Sequence, residues 1–373
     1  MAYTTIDDPS AHFQTALWSG DDATTQDITN DGNSDLQPDW VWVKCRNTNG
    51  NGFDHTVWDT SRGVSDSVNT SLSPSQNDVE GLGDNVTTTA QLGGVSAMLS
   101  DGFTVREGSI DDDSRYVNEN TRTYVGWQWK ANGGSRTTFA EDGNNPAGGY
   151  QANTTAGFSI VDYVGTGAAG TMAHGLGAAP DLIIIKNRDE ADDWAVYHSA
   201  NTSAPETDYL VLNTDAGTAD DDAFWNDTAP TSSVFTVNTA HNVNADAENY
   251  IAYCFTSIQG YSKFGSYTGN GDADGPFVYT GFSPSMVIAK ASSTNGDWKI
   301  FDNKRIGYNA ANYRLYPNAA TVETSDSLID ILSNGFKLKT LSDSINGSDN
   351  TVIYMAFAES PFVTSGGVPC TAR

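Results

Sequence analysis

"PDWVWVK", residues 38–44, decides the fold, because it is a run of four bulky residues in a strongly polar chain. Near-copies return as "PDLIIIK" at 180–186 and "PSMVIAK" at 284–290. A run that is apolar at consecutive positions and rich in β-branched and aromatic residues is typical of a central strand covered on both faces. We expect each run to return to solvent at the lysine that ends it: Lys44, Lys186 or Lys290.

Four further landmarks accompany each copy of this run, always in the same order. An aromatic turn precedes it; a second apolar stretch, a Phe-centred stretch and a closing aromatic run such as "YVGWQW" follow it. Five landmarks repeated three times indicate internal repeats. The segments are short and bounded by Gly, Asn, Asp and Pro, which predicts strands. We therefore predict an all-β fold of three tandem antiparallel β-sandwich repeats, in which only residues 327–335 could form a short helix.

The repeats set the domain boundaries. Unit one is residues 1–132, with a polar insertion at 65–94 that we expect to be a long surface loop, a common place for binding. A Gly- and Asn-rich linker, 133–149, separates it from unit two, residues 150–258. Unit three, residues 259–373, follows at once. We expect units two and three to be rigidly apposed and unit one to be offset.

Composition excludes several classes of function. The chain has 47 acidic and 19 basic side chains, a formal net charge of −28, which argues against nucleic acid or anionic membranes as partners. No apolar stretch approaches the roughly 18 residues of a membrane span. The start lacks the features of a signal peptide, so we expect synthesis in a cytoplasm. The odd number and wide spacing of the cysteines argue against disulfides and zinc: Cys45, Cys254 and Cys370.

The sequence contains none of the common catalytic motifs, so we expect a protein that is not an enzyme. The five histidines are scattered along the chain. His55 falls where the other units have Trp194 and Trp298, which indicates a packing position. Carboxylates are abundant, but nothing in the sequence selects two of them as a glycosidase pair.

Two acidic loops are candidate binding sites. In "NGDADG" (270–275), oxygen-bearing side chains alternate as in a calcium loop, but Gly281 stands where an EF-hand needs glutamate. This leaves a loop-bound Ca²⁺ or no cation, and no other cofactor is expected. In the second loop an aromatic ring lies between polar residues, where it would stack on a sugar or pack onto a neighbouring unit. The candidate metal ligands are Asn270, Asp272 and Asp274, and the candidate ligand-binding residues are Trp225, Asp222 and Asn226.

Units one and three share one polar feature. "WDTSRG" and "FDNKRIG" each place an aspartate and an arginine three residues apart: Asp59 with Arg62, and Asp302 with Arg305. We expect each pair to fix a turn through a salt bridge after its strand. Unit two has "YHSAN" there and lacks the pair.

The order of landmarks resembles a repeat of structural proteins from tailed bacteriophages, marine phages especially. The closest stretches are "PDWVWVKCRN", "PDLIIIKNRD" and "YVGWQWKANGGS". The resemblance covers essentially the whole chain. It implies a virion protein of the tail-fibre or adhesin-like kind, with units similar to jelly-roll or concanavalin-type lectin sandwiches. It transfers no binding residue, and unit three departs from the pattern with "KAS" in place of "KNR".

Three functions follow as hypotheses. The first is an adhesion module on the exterior of the phage particle that binds a host-surface glycan. The second is a capsid decoration (cement) or connector protein that binds only other virion proteins. The third is a polysaccharide depolymerase, which requires two carboxylates about 5–10 Å apart. By analogy with other virion appendages we expect a homotrimer.

Overall fold

The computed structural model describes residues 2–47, 52–65, 67, 69–81, 93–109, 117–305, 309 and 312–370. Over these residues the chain forms antiparallel sheets with a few single-turn helices. The prediction of an all-β fold of sandwich type is confirmed. Each unit consists of a larger sheet, here called the main sheet, and a small sheet that covers one of its faces.

Unit one has a main sheet of strand order β1-β7-β3-β4 and a small sheet of order β2-β6-β5. A 3₁₀ turn, Pro9–Ala11, precedes the first strand. The strands are β1 (Phe13–Ser19), β2 (Gln26–Ile28), β3 (Trp40–Cys45), β4 (Thr56–Asp59), β5 (Gly94–Leu99), β6 (Gly102–Arg106) and β7 (Thr123–Trp129).

Unit two has an eight-stranded main sheet of order β15-β14-β13-β12-β17-β10-β9-β8 and the small sheet β11-β16. The first of its strands come from the segment predicted as a linker. The strands are β8 (Thr137–Phe139), β9 (Gly148–Asn153), β10 (Phe158–Val164), β11 (Gly170–Ala173), β12 (Leu182–Asn187), β13 (Ala195–His198), β14 (Asp208–Val211), β15 (Ala219–Asp220), β16 (Val234–Val237) and β17 (Asn249–Phe255); single-turn helices are α1 (Asp222–Trp225) and α2 (His241–Asn244), with a 3₁₀ turn at Pro205–Thr207.

Unit three repeats unit one, with main sheet β18-β26-β20-β21, small sheet β19-β25-β24 and a hairpin β22-β23. The helix expected at 327–335 is wrong, because these residues form β24 and the turn into β25. The elements are β18 (Ser262–Thr268), β19 (Phe277–Tyr279), β20 (Phe282–Ala291), β21 (Lys299–Asp302), β22 (Asn312–Arg314), β23 (Thr324–Asp326), β24 (Ile329–Leu332), β25 (Gly335–Leu338), α3 (Asp343–Asn346) and β26 (Thr351–Pro361).

The repeated apolar run is the central strand of each main sheet: β3, β12 or β20. Its side chains alternate between two cores. In unit one, Trp40 and Trp42 face a core shared by all three units, whereas Val41 and Val43 face the core of their own sandwich. The prediction of a strand covered on both faces is confirmed, and the alternation explains why consecutive positions are apolar.

In units one and two, the aspartate of the run holds the backbone that follows the neighbouring strand. Asp39 accepts hydrogen bonds from the backbone N–H of Ala131 (2.8 Å) and Gly134 (3.0 Å), just after β7 ends. Asp181 likewise accepts from the N–H of Ser257 (2.7 Å), after β17. The carboxylate thereby satisfies amides that have left the strand ladder.

The three main sheets face one another across a single apolar core, which we call the common core. The ring of Trp40 stacks on Tyr253 of unit two at 4.3 Å between centroids. Phe13 of unit one stacks on Phe357 of unit three at 5.1 Å. Phe255 of unit two also packs on Phe357, at 5.8 Å. The expectation that unit one is offset is therefore wrong.

Equivalent contacts join unit two to unit one and unit three to unit two. The indole N–H of Trp194 in unit two donates to Ser73 O of unit one at 2.8 Å. The indole N–H of Trp298 in unit three donates to Val211 O of unit two at 3.0 Å. His55 of unit one occupies the third equivalent position, is fully buried and lies on Trp42 and Trp127. Its predicted packing role agrees with this placement.

The first part of the 65–94 insertion is buried, contrary to the surface loop expected there. Residues 69–75 are all buried, and Leu72 lies in the common core. Leu72 bridges Val57 on β4. Residues 82–92 of the insertion lie outside the described residues. The same bridge position recurs in the other units, as Leu210 beside Val196 and Leu315 beside Ile300.

Candidate functional site

The three lysines that end the apolar runs are buried, contrary to the expectation that they reach solvent. Lys44, Lys186 and Lys290 are each 0% exposed. They continue the alternation on the side of the common core, at the junctions between units. Burial lowers the pKa of each lysine from its ordinary value near 10.5 to about 8.

Backbone carbonyl oxygens accept hydrogen bonds from these ammonium groups. Lys44 Nζ donates to Cys45 O (2.7 Å) and to Ala320 O of unit three (3.1 Å). Lys290 Nζ donates to Ala291 O (2.8 Å) and to Asp215 O of unit two (3.1 Å). Lys186 Nζ donates to two carbonyls of its own unit, those of residues 187 and 190. Lys44 and Lys290 thus join adjacent units by hydrogen bonds.

The predicted turn pair of unit one belongs to a buried ionic network at the junction with unit two. Arg62 Nε lies 2.6 Å from Asp59 Oδ2, and both side chains are 0% exposed. Tyr253 of unit two donates its hydroxyl to Asp59 Oδ2 at 2.8 Å. Glu80 contacts both Arg62 Nη1, at 3.8 Å, and Arg188 of unit two. The pair fixes its turn, and it also joins two units.

The same network recurs between units three and one. Arg305 Nε lies 2.7 Å from Asp302 Oδ2, and Trp127 of unit one donates its indole N–H to that oxygen at 3.1 Å. Glu323 accepts from Arg305 Nη1 at 3.0 Å and pairs with Arg46 of unit one at 2.9 Å. A buried charge network of this kind is stable only when every member is satisfied.

The third junction, between units two and three, lacks the ion pair and has a neutral side chain at the equivalent position. His198 stands where the other units have Asp59 and Asp302. Its Nδ1 accepts from Ala200 N at 3.1 Å, so Nε2 carries the proton and donates to Tyr354 O at 3.2 Å. Burial lowers the pKa of His198 to about 4, which keeps the ring neutral at pH 7. Unit two has therefore replaced an ion pair by a neutral donor.

The sugar-stacking role predicted for Trp225 is wrong. Its ring is 2% exposed, lies on Tyr197 and Phe224, and donates its indole N–H to Asp208 O at 2.9 Å. The ring packs within the core of its own unit and not onto a neighbouring unit. The two polar residues predicted beside it, Asp222 and Asn226, are exposed and take part in α1 and its C-terminal cap.

The candidate calcium ligands serve their own loop. Asn270 Oδ1 accepts from Asp272 N at 3.0 Å, and Asp272 Oδ1 accepts from Asp274 N at 2.9 Å. Asp274 pairs with Lys337 at 2.7 Å. Among the described residues, no group of three or more His, Cys, Asp or Glu side chains is arranged to hold a metal ion. These hydrogen bonds account for the alternating Asn and Asp residues as turn formers.

The cysteines are unbridged. Cys45 and Cys254 are 0% exposed and line the cores of their own units, and Cys370 is half-buried. Burial raises the pKa of the Cys45 thiol to about 11 and raises that of Cys254 as well, so both thiols remain protonated at neutral pH.

The common core has no cavity large enough for a ligand among the cavities described. A cavity in the common core has a volume of about 20 Å³ and lies between apolar side chains of all three units, among them Trp42, Ile184 and Ile288. Such a volume holds at most one water molecule, and the apolar lining does not favour even that. This cavity is therefore too small to be a ligand site.

Unit three carries an open groove of about 500 Å³ beside β21 and β22, which we call the unit-three groove. Its lining includes Lys299, Arg314, Tyr316, Asp297, Asp326 and Ser344. Two cations lie over one aromatic ring: Lys299 Nζ is 5.6 Å and Arg314 Cζ 5.5 Å from the ring centroid of Tyr316. No motif in the sequence points to these residues. The one sequence feature that could have indicated the groove is Lys299, which stands at the position occupied by Thr56 in unit one and Ala195 in unit two.

The chain belongs to the family described as "Domain of unknown function (DUF7483)", whose family model matches residues 8–361. The match runs from the turn before β1 to the end of β26, so it includes all three units. No curated protein sequence matches the chain. Within the part of the chain that the structure describes, no helix has both the length and the apolar character of a membrane span.

Proposed function

We propose that the chain is a structural component of a tailed-phage virion, exposed on the particle, and that it contributes to attachment to host-surface glycans. The observation that carries the attachment role is the unit-three groove. It is open, about 500 Å³ in volume, and lined by an aromatic ring, cations, carboxylates and hydroxyls. Aromatic and polar groups that converge on a concave surface are the usual features of a small-ligand site.

The fold supports a virion role. Three sandwiches closed around one apolar core, with buried ion networks at two junctions, form a rigid body on which the loops are held in place. The net charge of −28 disfavours packaged nucleic acid as a partner and favours solubility at the outer surface. Assembly into a homotrimer and contacts with other virion proteins stay predictions.

A binding role suits the groove better than catalysis. The groove contains two carboxylates, but neighbouring side chains engage both. Asn318 donates to Asp297 Oδ1 at 2.9 Å, and Arg314 pairs with Asp326. A depolymerase needs one carboxylic acid and one carboxylate that are free to act on the glycosidic bond. We therefore propose no enzymatic activity.

Capsid decoration or a connector role is the second candidate, because unit three exposes an aromatic sheet edge. Phe277 is 45% and Tyr279 47% exposed on β19, the outer strand of its small sheet. The Tyr279 hydroxyl lies 3.1 Å from that of Tyr3. Exposed aromatic groups at a strand edge are suited to bind another protein chain.

Labelling of intact phage particles tests the proposal. The antibody is raised against the folded chain and absorbed against particles that lack the protein. Label at the tail tip or fibres supports attachment, and label spread over the capsid supports decoration. Particles that carry no label, and whose purified protein contains no peptide of this chain by mass spectrometry, overturn the virion role.

A further inference from the structure

We propose that the unit-three groove binds a sugar that carries a carboxylate, with the ammonium group of Lys299 receiving that carboxylate. This inference rests on the proposed attachment role and assigns its ligand a chemical class. It rests on three observations: a buried cation that the repeat does not require, a groove that is filled in unit two, and a lining that suits a singly charged sugar.

Lys299 is a departure from the repeat at a buried position. The first residue of the strand is Thr56 in unit one, Ala195 in unit two and Lys299 in unit three, and these residues are 0%, 1% and 4% exposed. A small neutral side chain therefore suffices for the fold. Burying an ammonium there costs free energy unless the charge is compensated.

Compensation of Lys299 within the protein is incomplete. Its Nζ hydrogen-bonds to Ser344 Oγ and lies over the ring of Tyr316. Burial lowers the pKa of Lys299 to about 8, and the charge of nearby Asp297 opposes this shift. Among the described residues, however, no carboxylate oxygen lies within the 4.0 Å of a salt bridge to this nitrogen, and the ammonium has three protons to donate. The cation on the groove wall therefore retains capacity to bind an added anion.

In unit two, an aromatic side chain occupies the region that corresponds to the unit-three groove. Tyr209 corresponds to Arg314. Tyr209 precedes Leu210, which pairs with β13, and Arg314 precedes Leu315, which pairs with the equivalent strand β21. In unit two, Phe224 of α1 stacks on Tyr209 at 3.7 Å between centroids and covers it. Unit three has cationic and polar groups here, and the space is open to solvent.

The lining favours a singly charged sugar over a phosphate. Lys299 receives the carboxylate, Arg314 keeps N–H donors beyond its pair with Asp326, and the Tyr316 ring offers a surface to a pyranose. Asp297 and Asp326 accept hydrogen bonds from sugar hydroxyls, and they repel a doubly charged phosphate more strongly than a singly charged carboxylate. The volume of about 500 Å³ lies within the usual range for sites that bind small ligands.

Titration calorimetry of the full chain at pH 7 and about 0.15 M salt tests the proposal. The probes are disaccharides of glucuronate, galacturonate and mannuronate, a sialylated disaccharide, the neutral counterpart of each, and inorganic phosphate. At least one acidic sugar is expected to bind at least about tenfold more tightly than its neutral counterpart and than phosphate.

Variants locate the binding. Lys299→Thr introduces the residue that unit one has at this position, so the variant is expected to fold, and circular dichroism checks this. It is expected to weaken binding of the acidic sugar at least about tenfold. Lys304→Thr removes the same charge from unit three outside the groove and is expected to leave the affinity unchanged.

Each alternative outcome overturns the inference. These outcomes are no binding of any acidic probe at millimolar concentration, equal binding of acidic and neutral sugars, binding of phosphate as tight as the sugar, and wild-type affinity in Lys299→Thr. If particles carry the label but the purified chain binds no acidic sugar, this inference is overturned and the virion role is retained. A chain that binds the sugar but is absent from particles overturns only the virion role.

Discussion

Raising the pH from 7 to 9 should stabilise this protein, because of its buried lysines. Lys44, Lys186, Lys290 and Lys299 have folded-state pKa values of about 8, below their ordinary value of 10.5. Between these values the unfolded chain binds more protons than the folded one, so the free energy of unfolding rises with pH. Below pH 8 the buried lysines are charged, and their burial lowers the free energy of unfolding by its full amount. This loss of stability decreases above pH 8 and disappears as the pH approaches 10.5.

The magnitude follows from the size of these shifts. Each lysine contributes about 1.3 kcal/mol between pH 7 and pH 9, or about 5 kcal/mol for the four. The buried thiols of Cys45 and Cys254 act in the opposite direction, because their pKa values are raised, but together they remove less than about 1 kcal/mol by pH 9. A net rise of about 4 kcal/mol is therefore expected.

Urea denaturation followed by tryptophan fluorescence and circular dichroism measures this rise. The matched variant is Lys186→Met, whose hydrogen-bond acceptors both lie in its own unit. Loss of those bonds shifts stability equally at every pH, so only the slope reports the charge. The variant should show a rise smaller by about 1 kcal/mol. A wild-type stability that is flat or falls between pH 7 and pH 9 refutes the argument.

Three further predictions concern the segments and charges that the repeat places at the junctions and in the groove. Leu72→Ala should cost about 2–5 kcal/mol of unfolding free energy in urea titrations, because it opens a cavity in the common core, whereas Leu341→Ala at a 65% exposed site should stay within about 0.5 kcal/mol. Arg62→Met should cost about 3–5 kcal/mol, since it leaves a buried carboxylate unpaired; loss of the exposed ion pair in Lys304→Met should cost less than about 1 kcal/mol, and equal costs would contradict the network. Binding of an acidic sugar should weaken as the pH rises through about 8, where Lys299 loses its proton, and Lys299→Arg should keep its affinity at pH 9 in calorimetry.

Local pattern was enough to predict the strands and the threefold repeat. Alternation along residues 40–43 settles which side chains share a face, and the β-branched and aromatic content favours a strand. The same alternation assigns Lys44 to the face of Trp40 and Trp42. What lies opposite that face depends on the packing of distant units, which a local pattern does not contain. The prediction that Lys44 returns to solvent failed for this reason.

The missed leucine and the misread tryptophan have related causes. Leu72 stands among polar residues, so the composition of its segment indicated a surface loop; its correspondence with Leu210 and Leu315 was the signal that could have corrected this. Trp225 lies in an acidic stretch, yet the single-turn helix α1 turns its ring into the core. In both cases the neighbours in sequence are exposed while one side chain is buried.

The sequence reveals that one position of unit three differs in chemistry from the other units, but it does not reveal that this position lines a groove. Aligning the repeats reveals Lys299 opposite Thr56 and Ala195 as a change in chemistry. Whether that lysine is paired, covered or open depends on Ser344, Tyr316 and the course of the hairpin β22-β23. These contacts come from residues up to 45 positions away, so only the folded chain shows that the cation lines a groove.

Competition for phage adsorption tests the central claim most directly. Purified wild-type chain is added to host cells before the phage, and the rate at which free phage disappears is measured. Wild-type chain is expected to slow adsorption in proportion to its occupancy of the cells, whereas Lys299→Thr, at the same concentration and equally folded, is not. Adsorption at the uninhibited rate in the presence of saturating wild-type chain would contradict the claim that this protein binds the host surface.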